Sequence, residues 1–264
     1  MPRPSRWLPP LLVLAAAVGL WYAVSTVLLS PDRRFLFPPP HAVVREGYLD
    51  GGNRAELLAG LGQSAKTAAL GLLTAAAAGI VLAVAMSQAR WVERSLFPYL
   101  VVLQATPILA LVPLFGFWFG YGTPTRVLVC ALIALFPIVA STLFGLRSVA
   151  AAHHDLFTLH RAGRGARLWK LQLPAALPSL FTGLRISAGL SVLGAIVGDF
   201  FFRQGPSGIG VLIDRYQSRL QSEQLLAAVL LSSLFGLAVF WAFGALARRA
   251  VGAWHESARE PGAW

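Results

Sequence analysis

The sequence predicts an all-α, polytopic membrane protein of about six transmembrane helices, and three observations carry that prediction. The 264-residue chain is 56% hydrophobic and 12% charged, with a mean hydropathy of +0.66; it is more apolar and less charged than a soluble globular domain. Its apolar residues fall in runs that each reach the roughly 20 helical residues needed to cross a bilayer core. Its cations gather in the polar segments that follow every second run, as the excess of positive charge in cytoplasmic loops requires.

In chain order the candidate spans are residues 7–29, 61–86, 96–119, 126–146, 180–202 and 224–246. The first follows Arg3 and Arg6 and has the outline of a signal peptide. Its apolar run continues through Val27, Leu28 and Leu29, and its removal would leave five spans with the wrong parity, so an uncleaved helix is expected. The prolines of residues 31–44 predict an extended external connector. The third run contains Pro98, Pro107 and Pro113; proline removes an intrahelical hydrogen bond and crowds the preceding turn, so this span should be kinked or broken. Trp118, Phe119 and Tyr121 at its end suit an interfacial aromatic belt better than a stacking site for a ring.

The fifth run carries Arg185 and Asp199, and intramembrane charge is a candidate functional feature by default. Fourteen residues apart, they are separated by about 21 Å along one straight helix and cannot pair with each other. Each is expected to reach toward its nearer interface as an anchor. Between them Gly194 and Gly198 form a G-x-x-x-G spacing with Ala188 and Ser191 nearby, a small-residue face for close helix packing.

With the N-terminus inside, Arg3, Arg6, Arg90, Arg94, Arg147, Arg161, Arg164, Arg167, Lys170, Arg248, Arg249 and Arg259 all lie on the cytoplasmic side, opposed there by Glu93, Asp155, Glu256 and Glu260. The segments 30–56, 120–125 and 203–223 mix their signs and are expected outside. The net charge of +11 therefore reads as topology; the cations are dispersed over separate loops without interleaved aromatics, which argues against nucleic acid as a partner. The chain divides into residues 1–55, a first helix and external connector; 56–250, a transmembrane core containing a polar loop at 147–178; and 251–264, a cytoplasmic tail.

Enzymatic readings find little support. Cys130 is the single cysteine and lies in an apolar run, so neither an intrachain disulfide nor a cysteine metal cluster can form. His153, His154 and His160 do not share a helical face and lack an H-E-x-x-H pattern. There is no Gly-rich phosphate loop ending in G-K-[ST] and no hydrolase motif. No metal or cofactor is implied.

The polar loop is the most informative segment: residues 147–181 read RSVAAAHHDLFTLHRAGRGARLWKLQLPAALPSLF. Residues 153–172 can form a short helix with Leu156, Leu159, Leu168 and Trp169 as an apolar set beside Arg161, Arg164, Arg167 and Lys170. Such a set can anchor in a partner's groove, or the cations can rest on anionic lipid headgroups. Gly163 and Gly165 weaken the helix, and Pro174 and Pro178 in the doublet LPAALP are expected to turn the chain into the fifth span.

This loop resembles the "EAA" loop of permease subunits of binding-protein-dependent ABC importers, E-A-A, three residues, G, nine residues, I-x-L-P. Laid on it without gaps, Asp155 takes the acidic position, Leu156 and Phe157 replace the alanines, Arg161 stands where the glycine belongs, Leu171 replaces the isoleucine, and Leu173 and Pro174 match. Residues 104–122 (QATPILALVPLFGFWFGYG), 136–149, 183–200 and 208–213, with Ser64-Ala65-Lys66 before Gly71, are similar to the nitrate/taurine/sulfonate class, which includes importers of thiamine precursors. The resemblance implies a type I ABC importer permease fold with a cytoplasmic coupling helix in the inner membrane. Its partners would be ABC ATPase subunits, an external solute-binding protein, membrane lipid and a second permease, most simply a copy of this chain. The coupling residues would be Asp155, Leu156, Arg161, Ala162, Arg164, Leu168, Trp169, Leu173 and Pro174; the translocation path would involve Pro107, Arg185, Gly194, Gly198 and Asp199. The rival from another class, an ion-driven secondary carrier, calls for midplane ionisable groups or inverted repeats, and neither is evident.

Overall fold

The structure, a computed structural model, describes residues 8–202 and 204–251. Arg3, Arg6, the first residue of the first expected span, and nearly all of the 251–264 tail lie outside the described residues. Eleven α-helices run through the described residues: α1 (Leu8–Ala23), α2 (Pro40–Val43), α3 (Gly51–Gln88), α4 (Arg90–Ala105), α5 (Ile108–Phe119), α6 (Thr123–Arg147), α7 (Ala151–Leu159), α8 (Arg164–Arg167), α9 (Leu173–Phe201), α10 (Ile209–Ser218) and α11 (Ser222–Val251), with no strand among them. Five helical stretches are long and apolar enough to cross a membrane, and the α4–α5 pair makes a sixth as one broken span. These stretches fall where the six spans are expected, five as continuous helices and the third as the bent pair.

The centre of the bundle is α6, packed between α3 and α9. Lipid tails are as apolar as leucine, so helices in a bilayer associate through close packing rather than hydrophobic expulsion. Small residues provide it here. A Cβ added at Gly183 would stand 2.8 Å from the carbonyl oxygen of Pro137, and one at Gly194 3.0 Å from the Cα of Cys130. Gly71 of α3 meets Cys130 from the other side. Cys130 is fully buried and acts as a small packing residue, as expected.

Of three local expectations, one holds and two change. First, the span with three prolines is broken, as expected, at one of them: α4 and α5 are bent by 99° at Thr106 and Pro107, whereas Pro98 and Pro113 stay inside helices. Second, the segment after α1 is not extended. It forms a 3₁₀ turn (Pro31–Leu36), α2 and a π-helical turn (Val44–Leu49). Pro31 and Pro40 sit at helix starts, where a fixed φ near −65° favours helix and the absent N–H costs nothing. Trp21 Nε1 donates to Pro38 O at 3.0 Å and Ser25 Oγ to Phe37 O at 2.8 Å, so the connector is tied back to α1. Third, LPAALP does not turn the chain. Leu173 is helical, Pro174 lies in the first turn of α9, and Pro178 is inside it. The π-helical turn Leu168–Gln172 just before absorbs the change in hydrogen bonding, so helix runs on from Arg164 to Phe201.

The bundle has two distinct ends. At one, α6 runs into the polar loop, near the α3–α4 junction; this is the hairpin end. At the other lie the start of α6, the end of α9, and α10.

Candidate functional site

At the hairpin end the chain leaves α6 and forms α7, which stands apart from the bundle. Leu156 is 50% exposed, Leu159 81% and Trp169 72%; these are large apolar groups that the chain leaves at least half uncovered. Asp155 and Arg164 are also exposed. Leu168 and Leu173, by contrast, pack on the cluster of Met86, Leu146 and Ala176, and Trp169, Leu173 and Pro174 wall a cavity of 300 Å³ with Ile80 and Thr142. The single helix expected over 153–172 is thus two pieces, with a projecting arm (α7) and a returning arm seated on the bundle.

The corner between them explains an odd residue. Ala162 N–H donates to Phe157 O at 2.9 Å and Arg161 N–H to Thr158 O at 2.9 Å, the paired bonds of a Schellman helix ending. That ending places its first residue beyond the helix in the left-handed region, and Arg161 has φ +49°. Glycine suits this conformation because it has no Cβ; for other residues it costs roughly 1–2 kcal/mol. Arg161 is the position where the EAA pattern has glycine, the residue that adopts this conformation most readily. Arg167 Nη2 donates to Thr158 Oγ1 at 3.0 Å and braces the two arms.

At the opposite end Asp199 is not an interfacial anchor. It is fully buried, as is Arg126, and the two pair at 3.0 Å (Nη1 to Oδ1). Arg126 Nη1 also donates to Pro206 O at 3.0 Å, and Nη2 to Gln204 O at 2.9 Å and to Phe202 O. Asp199 Oδ2 accepts from Ser64 Oγ at 2.6 Å and from Gly210 N–H at 3.4 Å, while Ser64 Oγ accepts from Ile209 N–H at 2.8 Å. The network joins α3, α6 and α9 to the loop leading into α10. Gly210 permits the close approach: a Cβ there would stand 2.7 Å from the Cβ of Asp199. Beside it Tyr216 donates to Glu56 Oε2 at 2.9 Å, and burial with the Glu56 hydrogen bond pushes its pKa up to about 12, so it remains a donor at any physiological pH.

Arg126 and Ser64 escaped notice as site residues, the first because it opens a span and the second because hydroxyls are common in spans. One signal was present: an arginine and an aspartate at the same end of two neighbouring spans. The other charge of the fifth span, Arg185, lies over the ring of Phe240 at 3.8 Å and beside Gly244 of α11. Gly194 and Gly198 face Cys130 and Arg126 of α6, so their motif packs within the chain.

Between the ends, the α4–α5 break opens a cavity of 360 Å³ bounded by Gln104, Thr106 and Pro107 on one side and Leu190, Leu193 and Val197 on the other. Ser141, Ser179 and Thr182 border a 430 Å³ groove nearer the hairpin. On α9 the residues Ser179, Thr182, Ile186, Leu190, Leu193 and Val197 are spaced by three and four, one helical face. Ile186 and Leu193 on it are 46% and 53% exposed. Of the five path candidates, Pro107 lines this cavity; the other four turn toward α6, α3 or α11. The described residues contain no group of three or more histidine, cysteine or acidic residues able to hold a metal.

A helical bundle of membrane-spanning length with an exposed loop between two spans is compatible with a transport permease, and comparison with known proteins shows the family. Residues 75–252 match the family of binding-protein-dependent transport system inner membrane components, and the chain belongs to this family. It is 33% identical over 245 residues, 92% of this chain and 97% of the relative, to a probable ABC transporter permease protein of Haemophilus influenzae. It is 34% identical to a formylaminopyrimidine transport permease protein of Halalkalibacterium halodurans, over 65% of this chain and 68% of that one. A taurine transport system permease protein of Escherichia coli is 28% identical over 92% of this chain and 88% of its own. The chain is thus a permease component of an ABC importer, in line with the resemblance read from the loop and the spans.

Proposed function

We propose that this permease passes a small polar solute inward while a separate ATPase subunit drives it by docking on the hairpin of α7, α8 and the turn Leu168–Gln172. The observation that carries the reading is the exposure of Leu156 and Leu159 on the projecting arm and of Trp169 on the returning one, within a strongly basic segment. Asp155, Arg161, Ala162 and Arg164 shape or charge that arm. Leu168, Leu173 and Pro174 seat its return on the bundle, so that movement of the partner passes into α9, the longest wall of the proposed path. The hairpin end is cytoplasmic in this reading, both termini lie on that side, and the solute-binding protein delivers at the Arg126–Asp199 end.

The path is proposed along the exposed face of α6 and α9, closed by a second copy of this chain. Pro107 lines it at the broken span. Gly194 and Gly198 hold α9 against α6, Asp199 fixes its outer end, and Arg185 ties it to α11; these residues set the position of the wall rather than touch the solute. Alternating access is then a two-state rearrangement of that wall, biased by nucleotide through the hairpin. The solute is of the kind for which the relatives are named, a nitrate, a sulfonate or a thiamine-precursor pyrimidine, and its selection rests with the binding protein.

The test is affinity purification of the tagged chain in mild detergent, with mass spectrometry of what accompanies it, beside a Leu159→Asp, Trp169→Asp variant. Leu159 is chosen over Leu168 because Leu168 also supports the chain's own core. An ATPase should accompany the native chain and be lost from the variant at equal membrane yield. Equal recovery from both would remove the hairpin as the docking element.

A further inference from the structure

A polar cavity of 540 Å³ opens at the hairpin end between the end of α3, the start of α4 and the end of α6, lined by Ser87, Arg90, Glu93, Arg94 and Arg147. Nη1 and Nη2 of Arg147 donate to the two carboxylate oxygens of Glu93. Arg90 and Arg94 then remain exposed and without an ion-pair or hydrogen-bond partner among the described residues. They stand one turn apart on the same side of α4. The helix start between them is also open. Ala89 makes no side-chain cap, and while the N–H groups of Val92 and Glu93 bond to Ala89 O, those of Arg90 and Trp91 have no partner among the described residues. A site with three guanidiniums against one carboxylate and free N–H groups at a helix start is built to hold an anionic oxygen group.

We propose that this cavity binds the phosphate of an anionic phospholipid. The surface that continues from it decides between a lipid and a soluble anion. Along α4, Trp91 is 72% exposed, Tyr99 74% and Val102 63%, a stripe that begins beside the cavity and runs into the span, as acyl chains attached to a bound headgroup would. Tryptophan at the charged end and apolar groups beyond it are the pattern of a helix seated at a membrane interface. The α4–α5 break lies at the far end of the same helix, so a lipid held here would bias the angle of α4 and the cavity at Pro107. The proposal rests on reading this end as the cytoplasmic leaflet.

The experiment uses the importer purified with its ATPase and exposed to defined vesicles of phosphatidylglycerol or phosphatidylcholine, with bound lipid counted by native mass spectrometry and ATPase recovery read in the same samples. That recovery reports the docking reading separately. Phosphatidylglycerol should be retained over phosphatidylcholine. An Arg90→Gln, Arg94→Gln variant should lose affinity by about fivefold per arginine, about thirtyfold together, at unchanged ATPase recovery. Arg90→Lys, Arg94→Lys should keep most of the binding, since charge is retained while bidentate contact is lost. Equal phosphatidylglycerol retention by the glutamine variant would overturn the proposal. So would displacement by millimolar inorganic phosphate, which would mark a soluble-anion site, or loss of the ATPase with lipid retained, which would mark a protein contact.

Discussion

The two ends of the bundle treat their unusual residues in opposite ways. At the Arg126–Asp199 end, groups that are costly to bury are buried completely and largely satisfied by the chain itself: Asp199 by Arg126, Ser64 and Gly210, and the two terminal nitrogens of Arg126 by Asp199 and the carbonyls of the 202–206 loop, while Arg126 Nε has no partner among the described residues. At the hairpin end, groups that are costly to expose are exposed: Leu156 and Leu159 on the projecting arm and Trp169 on the returning one. Satisfied burial marks a structural joint. Unsatisfied exposure marks a surface awaiting a partner. Intramembrane charge alone points to the joint, the end opposite the proposed docking surface.

This contrast can be broken most sharply at the joint. Asp199→Ala leaves Arg126 buried and unpaired, and the loss should be about 3–5 kcal/mol, read as collapse of folded yield and a lower thermal midpoint in detergent. Replacing both partners, Arg126→Met with Asp199→Leu, should restore part of that loss, because removing a whole buried pair costs less than orphaning one member. If the double variant is worse than the single, the pair does not couple as described.

At the hairpin the opposite pattern is expected. Leu159→Asp with Trp169→Asp should weaken ATPase association by at least about thirtyfold, the scale of interface anchors worth about 2 kcal/mol or more, while thermal stability of the chain alone stays within about 0.5 kcal/mol. A drop in stability of the isolated chain would show that the arm is part of the fold. Gly194→Val tests the packing between the ends. With the Cα of Cys130 3.0 Å from a Cβ at that position, overpacking should cost about 1–3 kcal/mol, measurable as a lower thermal midpoint.

The smallest effect is expected at the corner. Arg161→Gly removes a side chain from a left-handed position and should stabilise the hairpin by about 1 kcal/mol. ATPase affinity should be unchanged or raised by no more than about fivefold. A loss of affinity would instead assign the guanidinium a contact of its own with the partner.

The membrane fold was legible because its determinants are long and local. Runs of apolar residues give the spans, the three prolines of the third run give a break without saying which of them makes it, and the charge and spacing of residues 147–181 give the loop. What was not legible depended on residues distant in sequence or on the compensation of one local feature by another. Arg126 and Asp199 are 73 residues apart, and each taken singly suits an interfacial anchor. Pro174 and Pro178 suggest a turn until the π-helical turn before them absorbs the change. Arg161 departs from the EAA pattern as a residue, and its left-handed backbone, the kind glycine favours, shows only in the structure. The loop after α1 was misread because proline at a helix start and proline in extended chain share the same φ.

The central claim is that the exposed hairpin, and not the buried joint, meets the ATPase. The most direct test places a photo-crosslinking residue at position 169 in one variant and at Leu220, which is 65% exposed beside α10, in another, and irradiates intact membranes. Adducts with the ATPase from position 169 and none from position 220 are the predicted result. ATPase adducts from position 220, or from neither position in membranes that contain the assembled importer, would contradict the account.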